Sequence, residues 1–196
     1  CLNVLSAMNI VGDPEVSKEK IVVVGGITFK KGIQGNCHLQ HLILRQAKSF
    51  GVSAESSFTM EDVLVEQCVA FGVIASGTGI VGRCTNMEVR QCGMSGVLAV
   101  NGASITLIGA KTTVHHNCTA GSSVNYGLEV YGSSSSTIRL VFPLTKEHAS
   151  IDNGGGCNWG GTHGGDINQI KTIADTSSPA NVVASGETTG ETKTTS

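Results

Sequence analysis

Gly72-Val73-Ile74-Ala75 and Gly96-Val97-Leu98-Ala99 are two copies of one phrase: a glycine, an apolar residue, any residue, then an apolar residue. The phrase occurs three more times, as Gly26-Ile27-Thr28-Phe29, Gly51-Val52-Ser53-Ala54 and Gly127-Leu128-Glu129-Val130. The glycines stand 25, 21, 24 and 31 residues apart. Self-similarity at such a period marks a repeat architecture, in which each unit buries its apolar side only by stacking on the next.

Counting back from each glycine extends the repeat. Leu39, Met60 and Cys84 align, as do Leu42, Val63 and Met87, and Leu44, Val65 and Val89. Ala47, Cys68 and Cys92 each stand four residues before a glycine. Within Leu42 to Leu44 and Val63 to Val65 the apolar residues recur at every second position, which is the strand period. No stretch sustains a helical stripe. Short strands broken by Gly, Ser and Asn make up each unit. Equivalent strands one unit apart pair at about 4.8 Å and stack like side chains in columns.

The expected fold class is therefore all-β: a right-handed parallel β-helix solenoid of about six coils. With these motifs and columns, residues 26–131 resemble the pectin-lyase-like parallel β-helices. The phrases Val114-His115-His116-Asn117-Cys118, Pro143-Leu144-Thr145-Lys146-Glu147 and Gly154-Gly155-Gly156-Cys157-Asn158-Trp159 are similar to β-helix repeat proteins of unicellular algae and their large viruses. The resemblance implies an architecture and leaves the activity open, because one fold hosts many functions.

The expected organisation is an N-terminal cap over 1–20, the β-helix over 21–173 and a polar C-terminal tail over 174–196. Thr119 to Asn125 is expected as a projecting insertion. The tail is rich in Thr, Ser, Gly and Glu, too polar to order itself by burial. A length of 196 residues fits one domain. A net charge of −2 supplies no drive toward nucleic acid. No run reaches the roughly 20 apolar residues of a membrane span. The compartment stays open.

The seven cysteines contain no CxxC pair, so a zinc site is not expected. Cys68, Cys92 and Cys118 read as one inward column of small core thiols, and Cys84 as part of another. Asn117-Cys118-Thr119 matches a glycosylation sequon, but Asn117 aligns with an ordered turn.

Among outward columns, Arg45, Glu66 and Arg90 alternate in charge, followed by His116. Gln46, Gln67, Gln91 and Asn117 form an amide column beside it. Both read first as stability devices. Ile43 and Leu64 on one sheet, and Ile74 and Leu98 on another, are expected as an outward apolar patch that binds a partner.

Catalytic signals are sparse. Glycoside hydrolysis needs two carboxylates across the scissile bond. The resemblance would imply Asn-Thr-Asp, Asp-Asp and Gly-His-Gly elements for hydrolase members and calcium-binding acids for lyase members, and none stands in the chain. Glu61-Asp62 is the adjacent acidic pair. On a strand the rings of His115 and His116 are expected on opposite faces. His148, Asp152, His163 and Asp166 fall in an irregular C-terminal unit where they are candidates to converge. No catalytic residue, metal or cofactor is assigned. The favoured reading is a non-catalytic structural or interaction subunit of a larger protein assembly. The alternative is a divergent carbohydrate-active enzyme or polysaccharide-binding module.

Overall fold

A computed structural model describes residues 1–132 and 135–175. The polar tail expected over 174–196 lies outside the described residues from 176 onward. Within them the chain is all-β and its sheets are parallel. It passes repeatedly through the same short circuit of strands. The first pass holds β1 (Leu2–Val4), β2 (Asn9–Val11) and β3 (Val22–Val24). The second holds β4 (Ile27–Phe29) and the long β5 (Cys37–Arg45), and the third β6 (Val52–Ala54) and the long β7 (Phe58–Glu66). The fourth comprises β8 (Val73–Ser76), β9 (Val81–Thr85) and β10 (Glu88–Arg90), and the fifth β11 (Val97–Val100), β12 (Ser104–Ile108) and β13 (Thr113–His115). The sixth runs through β14 (Tyr126–Tyr131), β15 (Thr137–Val141), the short helix α1 (Lys146–Ala149) and β16 (Ser150–Ile151). Strands β17 (Cys157–Thr162) and β18 (Ile170–Ile173) end the described chain.

The first strand of every pass joins one seven-stranded sheet, ordered β1-β4-β6-β8-β11-β14-β17. The remaining strands form an eleven-stranded sheet with two branches that share β5 and β7. The junction falls at His41 and Asp62, whose φ angles of 53° and 50° bend each long strand between its two halves.

The aligned apolar residues are the core. Val52, Val73, Val97 and Leu128 pair in register along the first sheet and are fully buried. Ala54, Ala75 and Ala99 form the neighbouring inward column. Each buried Val or Leu contributes about 1.5–3 kcal/mol relative to an exposed one. The repeated glycine has a steric cause. A Cβ at Gly51, Gly72 or Gly96 would collide with Val65, Val89 or Val114, and with the backbone oxygen of the glycine one pass later.

Residues 1–20, expected as an N-terminal cap, carry β1 and β2, which pair with β4 and β5 at one end of the stack. Their short apolar runs find parallel partners, and Val4 enters the core. Two expectations need correction. The inward position after Cys68 and Cys92 belongs to Asn117, not Cys118. Asn117 is 1% exposed and accepts the Cys92 N–H at 3.1 Å. The register runs from the strand, where Val65, Val89 and Val114 each precede this position by three residues. Accordingly His115, not His116, pairs with Arg90, and His116 follows Gln46, Gln67 and Gln91 into a left-handed turn column.

Candidate functional site

Outward positions of the seven-stranded sheet alternate with its core residues. Along one such row the register gives Ser53, Ile74, Leu98 and Glu129 in successive strands. Leu128 and Val130 on either side of Glu129 are fully buried in the core, so Glu129 projects from the other face. It is nevertheless only 3% exposed. A groove of about 320 Å³ crosses this face, with Ile74, Leu98 and Glu129 in its lining and Phe71, Val124 and Tyr131 beside them. The rings of Phe50 and Phe71 stack at 5.9 Å and extend its apolar flank.

The carboxylate of Glu129 is held by two hydroxyls. Ser95 donates to one oxygen and accepts the Tyr126 N–H at 3.1 Å. Thr162 donates to the other at 2.6 Å. His163, in a left-handed turn after β17, lies against Tyr131 with ring centroids 4.6 Å apart and also lines the groove. Burial pushes the Glu129 carboxyl above its ordinary range, and the two hydroxyls and the charge of His163 only partly oppose it. An apolar groove with a few convergent polar groups and a perturbed acid is the default place to look for binding.

The four residues expected to bind a partner lie, as expected, on two sheets. Ile74 and Leu98 line this groove, while Ile43 and Leu64 pair on the outer side of the other sheet. Ile43, Leu64 and Leu98 are 2%, 6% and 4% exposed, and Ile74 is half-buried. The expected open patch is therefore largely covered. Ile43 pairs in register with Val22 and Leu64, and the turn at Lys18–Lys20 lies close to β5.

The other polar candidates have separate partners. Glu66 is clasped between Arg45 at 2.5 Å and Arg90 at 2.8 Å. Burial alone would raise its carboxyl, but the two guanidiniums outweigh that and hold it below the usual range. Arg90 and His115 both reach Glu88, at 2.9 and 3.1 Å. Asp62 binds Lys18 at 2.5 Å and His41 at 2.7 Å, so the Glu61-Asp62 pair is not a free acid pair. The rings of His115 and His116 meet, with Nδ1 atoms 2.8 Å apart, instead of pointing to opposite faces. The φ of 54° at His116 breaks the strand alternation. His148, Asp152, His163 and Asp166 do not converge. Asp166 caps the turn at Ile167–Gln169, His163 lies on Tyr131, His148 belongs to α1, and the backbone oxygen of Asp152 accepts from His116. Among the described residues no three His, Cys, Asp or Glu side chains are grouped to hold a metal ion, and no helix is long and apolar enough to cross a membrane.

Glu129 was not singled out from the sequence. Its signal was present in the glycine phrase: the free position reads Thr28, Ser53, Ile74, Leu98 and then Glu129, the one acid in the series. Compared with family models, curated proteins and solved structures, the chain matches none.

Proposed function

We propose that the chain is a right-handed parallel β-helix of about six coils, of the pectin-lyase-like kind, and that it acts by contact as an interaction subunit of a larger protein assembly. The cyclic order of its parallel strands supports the architecture. The contact surface is the outer face of the seven-stranded sheet, between Phe71 and His163. The observation that carries this reading is the apolar groove over Ile74 and Leu98, open to solvent on a face otherwise rich in strand pairing. Apolar area covered there contributes about 25 cal/mol per Å². A carbohydrate-cleaving role draws less support. Asp62 and Glu66 are committed to basic partners, and Glu129 is held by hydroxyls with no second acid among them. The test is Ile74→Arg, which places a charge in the groove while Val73 and Ala75 still fill the core. Incorporation into the assembly should fall while the melting temperature stays within a few degrees. Unchanged incorporation, or turnover of a polysaccharide by the purified chain, would count against the reading.

A further inference from the structure

Ion pairs among the described residues engage Asp62, Glu66 and Glu88, and none engages Glu129. This acid is as deeply buried as Glu66, which has two arginines. A buried carboxylate without a cation is costly, and its proton affinity rises until one arrives. Glu129 receives one hydroxyl on each oxygen, whereas an ionised carboxylate offers about four acceptor sites. It retains capacity to accept a further donor from the groove that it lines.

The walls specify what such a donor would be attached to. Ile74 and Leu98 are aliphatic, and Phe71 and Tyr131 present aromatic rings. Aliphatic walls suit a methylene stem, and ring faces attract a cation at its tip. A volume of about 320 Å³ admits a side chain and excludes a folded element. We infer that the groove receives a Lys or Arg side chain of a partner protein, its apolar stem along Ile74 and Leu98 and its charge on Glu129. The inference rests on the contact reading and names the chemistry of the partner.

Three other titratable groups bear on Glu129. His163 and Tyr131 line the groove with it, and the Cys118 thiol feels its charge from the side of the loop. A protonated Glu129 would not attract an incoming cation, so binding weakens as pH falls.

The experiment uses the full chain and three probes read by amide chemical-shift titration. These are Nα-acetyl-lysine methylamide, its neutral norleucine counterpart, and butylammonium. At pH 7.5 the lysine derivative should bind at least tenfold more tightly than the norleucine derivative, with shifts at Leu98, Glu129 and Thr162. It should also bind more tightly than butylammonium, since the partner's backbone adds contacts. The preference for charge should vanish in Glu129→Gln and should shrink at pH 4 in the unaltered chain. The pH arm needs no substitution, so a misfolded variant leaves the test intact. Equal binding of the lysine and norleucine derivatives, no binding of either, or butylammonium binding as well as the lysine derivative would each overturn the inference. If Ile74→Arg blocks assembly while the charge preference is missing, the contact reading stands and the cation assignment falls.

Discussion

Asn153 Oδ1 accepts both the backbone N–H and the side-chain amide of Asn117, each at 3.0 Å and 36 residues along the chain. The Asn117 amide also donates to the Val89 and His115 carbonyls, at 3.0 and 3.1 Å. Three successive passes are thus joined by one side chain that replaces the thiols of the earlier passes.

Asn117→Ala should destabilise the protein by about 2–4 kcal/mol, because it strands the Cys92 N–H, the buried Val89 carbonyl and the part-buried His115 carbonyl. Urea denaturation measures this, and a loss below about 0.5 kcal/mol would contradict the network. The same burial predicts that peptide mapping of the folded chain, expressed through a secretory pathway, finds Asn117 without a glycan.

Gly72→Ala should destabilise by about 1–3 kcal/mol through overpacking against Val89 and the Gly96 carbonyl. Gly32→Ala is a control for space alone, since nothing lies within reach of a Cβ there, although its φ of 86° carries a backbone cost. Equal tolerance of both substitutions at their neighbours' side chains, seen as unchanged Val89 methyl shifts in Gly72→Ala, would contradict the steric account of the motif.

The thiols divide sharply. Cys1 and Cys157 are exposed and should react with a maleimide within minutes, while Cys84 is fully buried with its thiol pushed up to about 12. Cys68→Ser should cost about 1–3 kcal/mol, because a buried hydroxyl is costlier to desolvate than a thiol and its acceptor, the Glu66 carbonyl 3.6 Å from Cys68 Sγ, is far for an oxygen donor. Mass spectrometry of partially labelled protein reads the first claim. Early labelling at Cys84 or Cys68 would refute the register.

Two acids should respond to pH with opposite sign. The Glu66 carboxyl is lowered from 4.5, so its stabilisation is present above that value and is lost as pH falls through its folded value. The Glu129 carboxyl is raised from 4.5, so its contribution is present below that value and is lost as pH rises through its folded value. Glu66→Gln should therefore lose stability chiefly at neutral pH, and Glu129→Gln should gain relative to the unaltered chain between acid and neutral pH. Denaturation curves at several pH values check both slopes, and parallel curves for either variant would contradict it.

Much of this was legible because register in a parallel stack is carried by side-chain size. The glycine phrase, the Val52-Val73-Val97-Leu128 row and the Leu39-Met60-Cys84 row needed only spacing. Where polar residues carry the register, spacing misled. Cys118 looks like the next thiol after Cys92, but the strand ends at His115, two residues before Asn117, and Asn117 can bond both neighbours where a thiol cannot. The meeting of His115 and His116 depends on a left-handed residue that strand alternation does not anticipate. The burial of Ile43 and Leu64 depends on what crowds an outer face, which no repeat encodes. Glu129 lay in plain view, yet its importance arises only when the insertion before Tyr126 and the turn after Thr162 close around it.

The central claim is contact through the groove, and sedimentation of Ile74→Arg from the protein's own cells tests it most directly. The unaltered chain should sediment within a particle far larger than its own 20.2 kDa, and the variant as a free, folded monomer. Co-sedimentation of the variant with that particle at the unaltered level, or an unaltered chain that sediments alone, would contradict the account.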